Sequence, residues 1–338
     1  MKITAKILLT ISTILSLFFI SCNNDNKNIN VSNIKVNLNI VRFDNILFSI
    51  KPDSLENKIL DLNKKYTEFI DIFGNRIINI GGTNNANFIY LLKNFLTDYD
   101  ILQVQKQVSK KYSDINDIKS NLTNAFKHYK FYYPDKKIPL IYTTVTGFNQ
   151  SIIITDSLLI IGLDKYMGTN YDYYSRLQIP YYMRKNMNRE NIVPDCIRAV
   201  AIADFPFYDS LNNVISNMVY EGKIQYFINS LLPDYPDSLK FRYTNNQLKW
   251  LDNSEKSIWE FMVDKELLFS TKYMDIKRFT QDGPFTPAFS NDSPPRAGSW
   301  LGYRIVCNYM KNNPKIKLQD LMKENDYQKI LNLSKYNP

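Results

Sequence analysis

The chain reads as an α+β protein that is mostly helical. Apolar residues recur every three or four positions through most of its length, a single window near residues 138–162 switches to strict alternation, and proline and glycine concentrate between these segments rather than inside them. The period of 3.6 puts one apolar stripe on a helix, and the period of two puts apolar side chains on one face of a strand. The mixture therefore predicts a small mixed sheet near residues 138–162 set among many helices, with a helical C-terminal half.

The elements follow in order. Val36, Leu38 and Ile40 alternate with Asn37 and Asn39, the pattern of a half-buried strand. From Ser54, the residues Leu55, Ile59, Leu62, Tyr66, Phe69, Ile70 and Phe73 form a helical stripe, and Gly74 reads as its stop. A second helix is expected near Ala86 to Tyr99 and a third from about Ile115 to Phe131. Ile138, Leu140, Tyr142 and Thr144 alternate, Gly147-Phe148-Asn149 can turn the chain, Ile152 and Ile154 alternate again, and Leu158 to Gly162 is one more apolar run, so a β-meander or hairpin set is expected here. Helices are then expected at about Val193 to Asp204, Ser210 to Leu231, Thr244 to Leu251, Ser254 to Phe269 and Ser299 to Lys311, with two short ones at the end. Proline-rich connections fall at Leu232 to Tyr243 and Asp282 to Ala297.

The N-terminus carries a targeting pattern. Lys2 and Lys6 precede a largely apolar stretch from Ile7 to Ile20, which Ser21-Cys22 closes. That stretch is shorter than the roughly 18 to 20 residues needed to span a bilayer, so export and cleavage explain it better than a transmembrane helix. The pattern resembles a bacterial lipoprotein signal peptide over residues 1–21. It makes Cys22 the lipidated first residue of the mature protein, and each buried methylene of its acyl chains, palmitate among them, is worth about 0.8 kcal/mol of membrane attachment. The Asn-rich segment 22–35 reads as a flexible tether, and residues 36–338 as a single globular domain. Asn23 after Cys22 is no obvious inner-membrane retention residue, so the periplasmic face of the outer membrane is the expected location.

Composition removes several function classes. The formal charge is +9, yet Lys and Arg are scattered, and no basic stripe interleaved with aromatics marks a nucleic-acid surface. The expected partner is membrane lipid through Cys22, with no nucleic acid. Of three cysteines, Cys196 and Cys307 lie in apolar helical patterns, where a buried free thiol is the default and a disulfide the alternative. The only histidine, His128, sits beside Tyr129 on a lysine-rich helix end and reads as an exposed C-terminal imidazole. One imidazole cannot build a zinc site of the usual two- or three-histidine type. No cofactor, metal ligand set or catalytic residue is therefore assigned.

Two stretches stand out chemically. Met218-Val219-Tyr220-Glu221-Gly222-Lys223 puts Gly222 inside a helix that would be about 1 kcal/mol better with alanine there, so something must approach that backbone closely. A half-buried Glu221 would need a cation, with Arg198, Arg296 and Lys223 as candidates. Gly283-Pro284-Phe285-Thr286 and Ser293 to Gly302 form a proline- and glycine-rich loop that can hold Arg296 against a carboxylate, with Ser299 able to cap the next helix.

With Arg42-Phe43-Asp44, Ile161 to Gly168, Ile192 to Asp195 and Leu232-Pro233-Asp234, these stretches make the chain resemble the gliding-motility lipoproteins of the GldB family of Bacteroidetes. The resemblance implies a lipid-anchored cell-envelope protein that assists gliding motility as a structural or assembly component, with other envelope proteins of the gliding machinery as its partners. That family is in turn similar to zincin-like metallopeptidases, in which one helix carries His-Glu-x-x-His and a later Glu-Gly helix supplies a further ligand. Glu221-Gly222 resembles the later element, but the stretch Pro194 to Asp204 reads Cys196-Ile197-Arg198-Ala199-Val200-Ala201-Ile202 and offers neither imidazole nor general base. The resemblance thus implies a degenerate, pseudo-enzyme zincin-like fold in which Arg198 or Arg296 neutralises the leftover carboxylate. The competing reading is a periplasmic glycan or peptide hydrolase that pairs Glu221 with Asp195, Asp204 or Asp209.

Overall fold

A computed structural model of the chain describes residues 29–208, 210 and 212–338. Cys22 and Asp209 lie outside the described residues. Strand β1 (Ile40–Arg42) leads into helix α1 (Phe43–Phe48), then α2 (Leu55–Ile72), which runs on into a π-helical turn over Phe73–Ile77. Helices α3 (Phe88–Thr97), α4 (Tyr99–Lys111) and α5 (Asn116–Tyr132) follow, and then β2 (Leu140–Thr144), β3 (Ile152–Ile154) and β4 (Leu158–Gly162). The remainder is helical: α6 (Asp172–Arg176), α7 (Tyr181–Arg184), α8 (Ile192–Asp204), α9 (Val214–Leu231), α10 (Asp237–Phe241), α11 (Asn245–Asp264), α12 (Tyr273–Thr280), α13 (Ala297–Asn312), α14 (Leu318–Lys323) and α15 (Tyr327–Ser334). The protein is thus the expected mostly helical α+β structure, with one small mixed sheet.

The sheet has the order β1-β2-β4-β3. Strand β1 is parallel to β2, with Ile40 opposite Ile141, and β2 is parallel to β4, with Tyr142 opposite Ile160. Only β3 is antiparallel, pairing Ile153 with Ile160 on the far edge. This corrects the expected meander: two of the three pairings are parallel, and the N-terminal strand joins the sheet. That strand also begins at Ile40, after the alternation at Val36 and Leu38 has ended.

Both faces of the sheet are covered, which is why all of β4 is buried. Tyr142, Ile153, Leu158 and Ile160 face a core built with α1, α2 and α3. Ile141, Leu159 and Ile161 face the larger core, which takes in α5, α8, α9 and α13. Arg42 and Asp44 fix the start of the body. Arg42 donates from Nε and Nη2 to the fully buried Asp44 carboxylate at 3.1 and 2.6 Å, and Thr143 of β2 donates to the same group at 2.5 Å. Val31 is already buried and Ile29 packs on the larger core, so the last part of the 22–35 segment lies on the body.

Other departures from the sequence reading have local causes. Helix α4 was not anticipated, because only Asp98 separates it from α3. The Asp98 side chain accepts from the Ile101 N–H at 2.9 Å and starts a new helix without glycine or proline. The two helices expected at 244–251 and 254–269 are one, α11, because Asp252 and Asn253 face solvent and do not interrupt the ladder. Gly74 is no helix stop: a Cβ there would lie 2.2 Å from the Gly81 carbonyl oxygen, so the residue serves a close chain approach. Ser299 is not the cap of α13 either. That place falls to Arg296 at φ 57°, and Ser299 Oγ donates to the Thr280 carbonyl at 3.3 Å.

Helices α9 and α13 form the central crossing of the larger core. A Cβ on Gly222 would stand 2.3 Å from the carbonyl carbon and oxygen of Gly302, and a Cβ on Gly302 only 1.7 Å from the Met218 oxygen. Backbone meets backbone here, and no rotamer change can relieve an added methyl. Gly222→Ala is therefore expected to destabilise the protein by about 3 kcal/mol, the upper range for overpacking, despite alanine's better helix propensity. Urea unfolding of the two proteins measures this, and a variant as stable as the wild type would disprove the crossing.

Candidate functional site

One turn of α8 and one of α9 supply the first part of the site. Arg198 Nη2 lies 2.5 Å from Glu221 Oε2, and both side chains are about four-fifths buried. Glu221 points sideways from the glycine crossing, because Gly222 occupies the face that touches α13. Lys223 takes no part. It donates to the Glu324 carbonyl at 2.5 Å over the Tyr327 ring, and burial pushes its ammonium down to about 8.

Two more arginines and two more carboxylates complete the cluster. Arg296, at the start of α13, places Nε 2.8 Å from Asp282 Oδ1, but off the N–H direction, so the contact is an ion pair rather than an aligned hydrogen bond. Its Nη2 donates to the Phe241 carbonyl at 3.0 Å, and its guanidinium lies 5.1 Å from the Tyr243 ring centre. Asp195, on α8, accepts from the Tyr166 hydroxyl at 2.9 Å. Arg242 stands between the two acids, with nitrogens 3.9 Å from Asp195 and 3.9 Å from Asp282. Burial pushes the Asp282 carboxyl up, but Arg296, Arg242 and Arg198 outweigh it and hold it below the usual carboxylate range. The nearby Asp195 carboxylate raises the Arg242 guanidinium against the opposing effect of burial.

Beside this cluster opens a cleft of about 480 Å³ between α7, the α10–α11 turn and the 282–295 loop, with Tyr182, Arg242, Tyr243, Asp282 and Pro284 among its walls. Arg242 and Arg296 both hold left-handed backbone angles, φ 59° and 57°. For a non-glycine residue that conformation costs about 1 kcal/mol or more, a strain that often collects at functional sites.

Of the residues singled out from sequence, Arg198 and Glu221 meet directly. Arg296 joins the same cluster but pairs with Asp282, and Gly222 serves helix packing. Asp195 sits in the cluster, whereas Asp204 is bound elsewhere by the Tyr129 hydroxyl at 2.6 Å and by Lys136 at 2.9 Å. Sequence reasoning missed Tyr166, Arg242, Tyr243 and Asp282. The signal for Arg242 and Tyr243 was their place at the end of the proline-rich 232–243 connection. Cys196 and Cys307 are both buried, and no disulfide joins them. Among the described residues no group of three or more His, Cys, Asp or Glu side chains is placed to hold a metal ion, and no helix is long and apolar enough to cross a membrane.

With this geometry in view, the family assignment can be made. The family model described as gliding motility protein GldB matches residues 24–338. The chain belongs to the GldB family. Membership implies involvement in gliding motility and association with the cell envelope. No curated protein and no solved structure matches the chain.

His128 departs from its expected exposure. Only 3% of it is accessible, and its Nδ1 is buried without a hydrogen-bond partner. Burial pushes the imidazole below its ordinary 6.5, with Asp234 opposing weakly. The folded state then binds fewer protons than the unfolded chain, so this residue removes stability as pH falls below about 6.5. Because His128 is the sole histidine, its ring signals in a proton NMR titration are unambiguous. A midpoint below 6.5 is expected, and one at or above 6.5 would show the ring to be solvated or ion-paired.

Proposed function

We propose that this GldB-family protein is a non-catalytic component of the gliding machinery, held by a lipidated Cys22 on the periplasmic face of the outer membrane, where it supports assembly with other envelope proteins. The observation that carries the non-catalytic part is the Arg198–Glu221 contact at 2.5 Å. In the zincin-like reading, Glu221-Gly222 corresponds to the element that would offer a carboxylate to a metal, and α8 corresponds to the helix of paired histidines. Here the carboxylate faces a guanidinium, which satisfies its charge as a metal would. A permanent cation cannot polarise water into a nucleophile, so the pair serves cohesion and not hydrolysis. Strand β3, at one edge of the sheet beside α8, gives the fold a backbone edge at which a partner segment could pair without being cut.

The competing hydrolase reading needs two carboxylates facing a common substrate with one of them free. Glu221 is paired with Arg198, and Asp195 accepts from Tyr166 beside Arg242, which argues against that arrangement.

The two halves of the proposal are tested separately by colony spreading. Cys22→Ala should abolish spreading and release the protein from the membrane fraction, and full spreading by a soluble form would refute the anchor. Glu221→Gln, which keeps shape and removes charge, should spread normally at matched protein abundance. Loss of spreading by a normally abundant Glu221→Gln protein would favour catalysis.

A further inference from the structure

The charge cluster is unevenly matched, and the mismatch faces the cleft. Glu221 has Arg198 at 2.5 Å and Asp282 has Arg296 at 2.8 Å, whereas Arg242 meets both of its acids only at 3.9 Å, beyond hydrogen-bonding reach. The Arg242 Nε is buried with no hydrogen-bond partner. That nitrogen is turned toward Asp195, so a ligand in the cleft meets Arg242 at its terminal nitrogens, for which the protein supplies no acceptor within hydrogen-bond distance. The backbone holds it there in the left-handed conformation at φ 59°, against the local preference of an arginine.

The rest of the lining says what that ligand is. Tyr181 and Tyr182 supply aromatic surface, and Asn186, Asn188 and Gln247 bring amides that both donate and accept. Tyr181 is 55% exposed, with the Arg184 guanidinium 5.7 Å and the Lys185 ammonium 5.2 Å from its ring centre. Charges at the rim nearly balance: Lys185 and Arg242 stand against Glu190 and Asp282, and Asp282 is already neutralised by Arg296. Such a surface suits a neutral, hydroxyl-rich body bearing a single anionic group. The volume of about 480 Å³ is that of a small-ligand site. No residue of the lining belongs to a strand, so an extended peptide finds no backbone edge here.

We propose that this cleft binds a carboxylate-bearing saccharide, with Arg242 gripping the carboxylate in a forked pair of hydrogen bonds and the tyrosines stacking on the sugar rings. Planar carboxylate matches the planar guanidinium in two parallel bonds, which a lysine could not reproduce. Glu221 does not line this cleft, so a failure to bind sugar would leave the non-catalytic reading untouched.

The test is isothermal titration calorimetry on the full-length protein in detergent with trigalacturonate, trimannuronate, maltotriose and triglutamate. At least one uronate trimer should bind, more tightly than neutral maltotriose, and triglutamate should not compete. Arg242→Asn keeps a residue that tolerates the left-handed conformation and should weaken uronate binding at least tenfold. Tyr182→Ala should weaken it as well, and this variant decides the matter if Arg242→Asn lowers the melting temperature. Failure of both uronates to bind, unchanged affinity in the folded variants, or triglutamate binding as tightly as the sugars would each overturn the proposal.

Discussion

The structure depends on one constraint: helices α9 and α13 cross with no side chain between them. Gly222 and Gly302 bring the two backbones so close that a single added carbon at either position would overlap the opposite carbonyl. Gly298, one turn before Gly302, meets Phe279 of α12 almost as tightly, since a Cβ there would lie 2.8 Å from that residue's Cβ and carbonyl oxygen. A glycine inside a helix costs about 1 kcal/mol of propensity, and the packing of the larger core offsets that loss. The crossing also sets the rotation of α9. With Gly222 facing α13, Glu221 is turned toward α8 and Arg198, and Lys223 toward α14 and α15.

From that rotation the charge cluster follows. Arg198 comes from α8, Arg242 from the end of α10 and Arg296 from the start of α13, and the three carboxylates come from α8, α9 and the loop before residue 283. Segments distant in sequence are thereby joined by charge where the apolar core gives way to the cleft. Partly buried ion pairs of this kind specify an arrangement more than they add net stability, because desolvation offsets most of the Coulomb gain. The cluster thus fixes the geometry of the wall beside the cleft.

The sequence carried the broad design well and the site only in part. The helical stripes of α2, α5, α8, α9 and α13 were legible because each buries a continuous apolar face, and Gly222 was legible because a mid-helix glycine needs a reason. Parallel strand pairing was not, since three residues of β1 give no alternation long enough to read and their partner lies some hundred positions away. His128 reads as exposed because lysines lie close to it in sequence, yet only 3% of it is accessible. In the site, Glu221 and Arg198 drew notice through the peculiarity of their surroundings. Arg242 and Asp282 were hidden, because nothing local distinguishes an arginine ending a five-residue helix from a solvated one. Their roles arise only when α10 and the 282–295 loop are brought together.

The most direct test of this account is a double-mutant cycle on Arg198 and Glu221, with Arg198→Met, Glu221→Gln and the pair compared by urea unfolding. If the carboxylate is held by the guanidinium as the structure has it, the two substitutions will be coupled by about 1 kcal/mol or more, and the double variant will lose less stability than the sum of the singles. Additive losses would mean that Glu221 stands free of Arg198, and the carboxylate would again be available for chemistry.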